Sequence, residues 1–171
     1  MPQRARPAAF ANRIASTAHL SHVSAMHQIT ISNAANIEPS RLAAIRVEAM
    51  RPSLEAVGRF DPDRARNRFL ETYNADDTQV VHVGGDLIGF YVVRNRPDHL
   101  YLDHLYIHPE RQGSGLGREI VRSIQCQARD MGQPVRLMAL RGSPANDFYV
   151  SCGFALERYD ELDNFYTWTP T

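Results

Sequence analysis

A glycine-rich turn between two regular segments is the part of the sequence best suited to bind an anion. Residues 102–117 read LDHLYIHPERQGSGLG, in which an apolar strand pattern leads into Gly113, Gly115 and Gly117 and then into an amphipathic helix. The first backbone amides of a helix have no partner inside the helix, and the helix dipole favours negative charge there. Glycines also let the backbone approach a pyrophosphate closely. The pattern favours a phosphate site, although glycines before a helix can also serve the turn alone.

Three nucleotide-binding patterns compete for this turn. A Rossmann fingerprint spaces its glycines as GxGxxG, whereas here they fall at alternate positions, and no acidic residue ends the next strand, residues 135–140. A Walker loop needs a lysine, and all nineteen basic residues of the chain are arginine. The third pattern, Q/R-x-x-G-x-G/A, is matched by QGSGLG, which begins at Gln112.

The histidines and cysteines do not form a recognisable metal site or redox motif. His104 and His108 have the HxxxH spacing that suggests metal ligands on a helix, but they lie on a strand pattern that runs into Pro109. Cys126 and Cys152 are not arranged as CxxC, and a core of this size needs no disulfide. We therefore predict no bound metal and a reducing, cytoplasmic location.

The hydrophobic periodicity predicts the elements that position the turn. The order β, α, α, β, β, β, α, β, α, β, β is that of a mixed α/β domain with one β-α-β crossover. Asp61 is expected to cap the second helix, and residues 84–86 to close a hairpin. The predicted strands are residues 27–32, 78–83, 87–94, 99–107, 135–140, 154–159 and 164–168, the predicted helices are 38–50, 61–73, 116–131 and 143–152, and residues 52–60 are a predicted loop.

Composition bounds the class of protein. With 171 residues, 43% of them hydrophobic, the chain suffices for one globular domain and is too short for two. Nineteen basic and nineteen acidic residues leave no net charge, which argues against binding to nucleic acid, and no apolar run approaches the roughly 20 residues of a membrane span. Residues 1–26 are predicted to be a disordered extension, with a transit peptide as the alternative, and residues 27–171 to be the single domain.

Two spaced motifs resemble those of the GCN5-related N-acetyltransferases, the GNAT superfamily. The QGSGLG turn and the strand before it resemble motif A, and residues 137–154, LMALRGSPANDFYVSCGF, resemble motif B, a strand followed by a short helix that carries Phe148 and Tyr149. Ser143 departs from the pattern, because asparagine is usual there. The resemblance covers about residues 28–169. It implies the GNAT fold, an α/β domain with a mixed, mostly antiparallel central sheet, a β-α-β acetyl-CoA-binding core and about four flanking helices.

The resemblance implies that acetyl-CoA is the co-substrate. Its pyrophosphate would bind backbone amides of residues 112–117, and its pantetheine would lie against the edge of the strand that ends at residues 105–107. An amide near Leu105 would stabilise the oxyanion if a bulge splays the strand. The residues implied in cofactor binding are Leu105, Tyr106, Ile107, Gln112, Gly113, Ser114, Gly115, Leu116, Gly117, Arg118, Ser143 and Tyr149.

Three side chains are implied in proton transfer. Tyr149 matches the family's general-acid tyrosine, which would protonate the leaving thiolate, and the alternative is a core tyrosine packed beside Phe148. Asp103 and Tyr101 share one face of a strand, at positions where family members often place a base near the amine. Asp103 is the preferred base, acting through water. Its pairing with an arginine is the alternative, because a carboxylate in an apolar strand is costly to bury alone.

The predicted function is transfer of the acetyl group of acetyl-CoA to a primary amine of a small molecule or peptide, by direct attack in a ternary complex. The alternative is a non-catalytic GNAT-fold module that binds acyl-CoA and reports it to a partner, which Ser143 and the unsettled base keep open. A nucleotide-dependent oxidoreductase would need the acidic residue that is missing after residues 135–140. The sequence leaves open the acceptor amine and whether the chain forms a homodimer.

Overall fold

The computed structural model describes residues 28–171, so the extension and the transit peptide predicted for residues 1–26 lie outside it, as does His27. Seven strands and four α-helices follow one another in the order that the sequence predicts. The elements are β1 Ile29–Asn33, α1 Pro39–Ala56, α2 Pro62–Leu70, β2 Thr78–Val83, β3 Asp86–Asn95, β4 Leu100–Ile107, α3 Leu116–Asp130, β5 Val135–Leu140, α4 Ala145–Ser151, β6 Ala155–Tyr159 and β7 Asp163–Trp168.

The strands form one sheet in the order β1-β2-β3-β4-β5-β7-β6. Every neighbouring pair is antiparallel except β4 and β5, which run parallel because α3 carries the chain back between them. The mixed, mostly antiparallel sheet with four helices confirms the predicted fold. Within the described residues, the register between β4 and β5 covers only Leu100 and Tyr101, opposite Val135 and Arg136. The rest of β4 therefore has a free edge toward β5.

Helices cover the sheet in two pairs. α3 and α4 pack with one buried cluster, which includes Leu102, Ile120 and Tyr149, and α1 and α2 pack with a second. Val80 and Val81, consecutive on β2, belong to different clusters, as expected of the two faces of a strand. Among residues 28–171, no helix has the length and hydrophobicity that crossing a membrane requires.

The predicted loop at residues 52–60 is wrong in its first part, because α1 continues through Pro52 to Ala56. A proline inside a helix removes one backbone hydrogen bond and usually stops the helix. Here Arg51 forms ion pairs with Glu48 at 3.1 Å and Glu55 at 3.8 Å, one turn before and one turn after it. Such pairs contribute a few tenths of a kcal/mol each, so they help to carry the helix past the proline. The Asp61 cap forms as predicted, with Arg64 N donating to its side chain.

Candidate active site

The glycine-rich turn adopts a backbone that only glycine takes readily. After β4 the chain makes a short 3-10 turn over Pro109–Arg111, and Gly113 and Gly115 then have φ values of 78° and 85°. Gly115 is the N-cap of α3. A Cβ atom on Gly115 would meet no described atom within 4 Å, so the backbone angle, rather than lack of space, requires glycine there.

Two side chains fix the shape of this turn, and three backbone amides after it form no hydrogen bond within the helix. Gln112 Nε2 donates to the Ile107 carbonyl over 2.9 Å, and Ser114 Oγ donates to a carbonyl of the preceding 3-10 turn over 3.1 Å. The first backbone bond of α3 runs from Glu119 N to Gly115 O. The amides of residues 116–118 come before it and have no partner within the helix. The turn therefore presents a preformed site for an anionic group.

The side chains at the start of α3 are engaged elsewhere, so this segment offers its backbone to a ligand. Leu116 is buried in the cluster under α3, and a Cβ atom on Gly117 would lie 3.4 Å from the Phe148 ring. The Arg118 guanidinium donates to the carbonyl and the hydroxyl of Ser151, over 3.0 and 2.8 Å. Arg118 thus joins α3 to α4 through its side chain, which leaves its backbone amide for the predicted phosphate site.

The bulge expected near Leu105 is present two residues before it. Val92 and Val93 on β3 oppose His104 and Leu102 on β4, which leaves Asp103 without a partner in the register. Past Tyr101, β4 has no partner on the β5 side among residues 28–171. Leu105 and Ile107 pack toward α3, whereas Tyr106 packs toward α1 and α2. The free edge at Leu105 is where the predicted pantetheine and oxyanion contacts would form.

Tyr149 is a buried phenol at the middle of α4. Its side chain is 8% exposed and packs edge-to-face with Phe148 at 5.1 Å and Phe154 at 5.7 Å. Burial raises the pKa of Tyr149, and the nearby Tyr106 and Cys152 raise it further, so the phenol is neutral at physiological pH. It can therefore donate a proton, while its packing is equally what the core-tyrosine alternative predicts.

Asn146 is a polar residue that sequence reasoning missed. Its Nδ2 donates to Leu140 O at 2.8 Å and to both Ser143 O at 2.9 Å and Ser143 Oγ at 3.3 Å. Its Oδ1 accepts from Asn164 Nδ2 at 2.8 Å and from Tyr166 OH at 2.9 Å. The side-chain amide of Asn146, one turn after Ser143, therefore links β5, α4 and β7. The signal that could have identified Asn146 in the sequence was its position between Pro144 and Phe148 in motif B.

A cleft of about 520 Å³ opens beside the bulge, on the sheet face opposite α3. It brings together the two residues that sequence reasoning named as base candidates, Tyr101 and Asp103. Burial raises the pKa of Tyr101, and the carboxylates of Asp103 and Asp163 raise it further, while Arg96 and Arg94 oppose them. The lining residues are Thr72, Asp77, Arg94, Asn95, Arg96, Tyr101 and Asp103.

Asp103 is paired with an arginine, as the alternative interpretation of this residue expects. Arg94 Nε donates to Asp103 Oδ2 over 2.7 Å, and its two terminal nitrogens bond to Asp77 Oδ2 at 3.2 Å and to Thr72 O at 3.0 Å. The pairing does not remove Asp103 from the cleft, which its carboxylate still lines. The side chains of Arg94 and Asp103 are 16% and 19% exposed, so solvent screens the pair only partly.

His104 and His108 lie in different surroundings. The His104 ring packs among Phe69, Phe90 and Tyr106, and burial lowers its pKa from 6.5 to about 4, so the ring is neutral. His108 instead caps the 3-10 turn after β4 and accepts from Glu110 N. In the described part of the chain, no three His, Cys, Asp or Glu side chains are grouped to hold a metal ion.

Comparison with known proteins supports the same fold. Residues 74–156 match the family model described as the acetyltransferase (GNAT) domain. The fold is similar to that of a PaiA N-acetyltransferase from Thermoplasma acidophilum, solved with coenzyme A, with a TM-score of 0.70 and 18% identity over 83% of this chain and 99% of that one. No curated protein is significantly similar in sequence.

Two further solved structures resemble this chain. The ribosomal-protein-S18-alanine N-acetyltransferase of Escherichia coli has a TM-score of 0.61 and 16% identity over 82% of this chain and 92% of that one. Ard1 from Thermoplasma volcanium has a TM-score of 0.59 and 16% identity over 84% and 98%. At these identities the likeness is one of fold. Since the family model spans the glycine turn, the bulge and Tyr149 within this fold, the chain belongs to the GCN5-related N-acetyltransferase superfamily.

Proposed function

We propose that the protein transfers the acetyl group of acetyl-CoA to a primary amine, on a small molecule or a peptide, by direct attack in a ternary complex. The observation that carries the proposal is the continuity of two features. A preformed anion site at the start of α3 follows directly on a strand, β4, whose edge lacks a partner from residue 102 onward in the described chain. A pyrophosphate fits the first feature and an extended pantetheine the second.

The cleft lined by Tyr101 and Asp103 would receive the acceptor. It lies beside the bulge, so an amine in it would meet a thioester held at the free edge of β4. The nitrogen must lose a proton as it bonds to the acetyl carbon, and Asp103 would accept that proton through a water molecule. Tyr101, whose phenol is held neutral, would serve as a hydrogen-bond partner for the amine.

Tyr149 would supply the second proton. As the carbon–sulfur bond breaks, the thiolate needs a proton, and a neutral buried phenol can donate one. The carbonyl oxygen, which gains negative charge during attack, would be held by a backbone amide near Leu105. No covalent acyl-enzyme is required, since neither Cys126 nor Cys152 lies in the cleft. Both thiols are free, which agrees with the reducing, cytoplasmic setting included in this proposal.

The rival function is a binding module that senses acyl-CoA without turnover. Ser143 in place of the usual asparagine favours it, as does the engagement of Asp103 by Arg94.

A thiol-release assay separates the two functions. The protein is mixed with acetyl-CoA and, in turn, polyamines, amino acids, aminoglycosides and peptides with free N-termini, and mass spectrometry identifies the acetylated product. We expect amine-dependent release of coenzyme A with at least one class. Binding of acetyl-CoA by calorimetry with no acetylated product from any class would support the binding module instead.

A further inference from the structure

Arg46 on α1 is a buried cation without a counter-ion. The residue is 7% exposed, and its Nη1 donates to the Ala65 carbonyl on α2. Its Nε is buried and has no hydrogen-bond partner, and no carboxylate lies within 4.0 Å of its guanidinium among residues 28–171. Buried charges in proteins are as a rule paired, because an uncompensated one is costly.

Two neighbouring polar groups also lack good partners. The Arg46 guanidinium lies over the Tyr106 ring, 5.7 Å from its centre, and within hydrogen-bonding reach of the Tyr106 hydroxyl. The hydroxyl proton itself is donated to the thioether of Met50, a weak acceptor, over 3.3 Å. The His104 ring lies 5.7 Å from the same Tyr106 ring, and its Nδ1 is buried without a partner. Three under-satisfied polar groups therefore meet between α1 and β4, next to the bulge.

Asp103 and Asp77 both bond to the Arg94 guanidinium rather than to Arg46. On the side of β4 that faces α1 and α2, the Asp103 carboxylate favours protonation of His104, whereas Arg46, Arg94 and Arg68 disfavour it. Since Arg94 is paired with the two carboxylates, Arg46 is left there as a buried cation without a carboxylate partner among residues 28–171. A ligand that brings a negative charge would complete this arrangement.

We propose that Arg46, with the Tyr106 hydroxyl and His104 Nδ1 beside it, binds a carboxylate of the acceptor, so that the acceptor is an amine that also carries a carboxylate. The inference rests on the proposed function, since it assumes that the amine reacts at the bulge. A carboxylate accepts hydrogen bonds at both oxygens, and guanidinium is its best-matched partner in proteins. The carboxylate belongs either to a free amino acid or to a peptide.

The anion site can be tested without any turnover. Melting temperature is measured in potassium acetate and in potassium chloride at equal ionic strength, for wild type, Arg46→Met and Arg41→Met. Arg41 lies on the same helix but is exposed, so it is the matched control. We expect acetate to raise the wild-type and Arg41→Met melting temperatures by about 2 °C or more and to leave Arg46→Met unchanged. An equal acetate effect in Arg46→Met, or none in wild type, would overturn the proposal.

Stability in chloride provides a second readout. Replacing a buried, unpaired guanidinium with an apolar chain of similar length is often neutral or stabilising. Arg46→Met should therefore fold and melt no lower than wild type in chloride. If it fails to fold, Arg46→Lys keeps the charge and should keep the acetate effect, and the loss of that effect in a folded Arg46→Lys protein would contradict a site built on charge.

Acceptor pairs then identify the source of the carboxylate. Acetyl transfer is compared between amino acids and their carboxamides, and between dipeptides with glutamate or glutamine as the second residue. We expect KM to be at least tenfold lower for the carboxylate member of one pair type, and Arg46→Met to remove that difference. Equal KM values within every pair would refute the proposal. If no amine is acetylated, the proposed function fails, and the acetate measurement alone decides the anion site.

Discussion

Arg94 on β3 holds one oxygen of Asp103 on β4 at 2.7 Å and leaves the other without a hydrogen bond in the described chain. The same guanidinium bonds to Asp77 and to the Thr72 carbonyl, so it joins the end of α2 and the start of β2 to the bulge. Because three donors are used, the guanidinium has little freedom to rotate. The carboxylate of Asp103 is therefore fixed in the cleft with one oxygen available to a water molecule or an amine.

Replacing Asp103 tests whether that free oxygen takes a proton. If Asp103 is the base, Asp103→Asn should lower kcat by about 10²-fold or more, because the amide oxygen does not take up the proton. Asp77→Asn is the matched control, since it also removes one bond to Arg94 but carries no proposed catalytic role. Steady-state rates and melting temperatures of both variants provide the measurement. If Asp103 is only structural, Asp103→Asn should lower the melting temperature and keep the wild-type kcat.

The left-handed backbone at Gly115 makes the cofactor site sensitive to substitution. Gly115→Val should weaken acetyl-CoA binding at least tenfold, about 1.4 kcal/mol, because a β-branched residue resists the φ of 85° that shapes the turn. Gly132→Val at the other end of α3 is the control, because Gly132 has a φ of 65° and open space around it. Calorimetry on both folded variants gives the answer. Equal affinities would place the pyrophosphate elsewhere.

The neutral state of His104 makes stability depend on pH. The pKa of His104 falls from 6.5 to about 4 on folding, chiefly through burial, so the unfolded chain binds the proton more tightly. The contribution to stability is complete above pH 6.5 and is lost as the pH falls toward 4, by up to about 3 kcal/mol. Chemical denaturation in carboxylate-free buffers measures it. His104→Phe should flatten the slope in this window.

Local signals explain why the turn was predictable from sequence. The glycines, the strand before them and the amphipathic helix after them lie within one short segment. Each of these elements adopts its structure because of its own residue types. The order of elements follows from the same periodicities. The end of α1 was missed because Pro52 is a local stop signal, which the ion pairs of Arg51 and the packing of the helix outweigh.

The side chains of the cleft are held by residues that are far apart in the chain. Local sequence patterns do not predict such contacts. Arg94 meets residues that are 9, 17 and 22 positions away in the chain. Pairing of Asp103 with an arginine was the alternative to its role as base, and the sequence, with nineteen arginines, offered no way to choose the partner. Arg46 shows the same limit, because a charged residue on an amphipathic helix gives no sign that the fold buries it.

The proposed chemistry depends most directly on the Tyr149 hydroxyl, and Tyr149→Phe removes only that atom. Single-turnover acetyl transfer is measured with the best acceptor from the panel, together with acetyl-CoA affinity and melting temperature. Tyr166→Phe is the control, since it loses a structural bond to Asn146. We predict that Tyr149→Phe lowers the rate by about 10²-fold or more while affinity and melting temperature change little, and that Tyr166→Phe retains the wild-type rate. A wild-type rate in Tyr149→Phe would contradict the assignment of the general acid and leave Tyr149 as a packing residue.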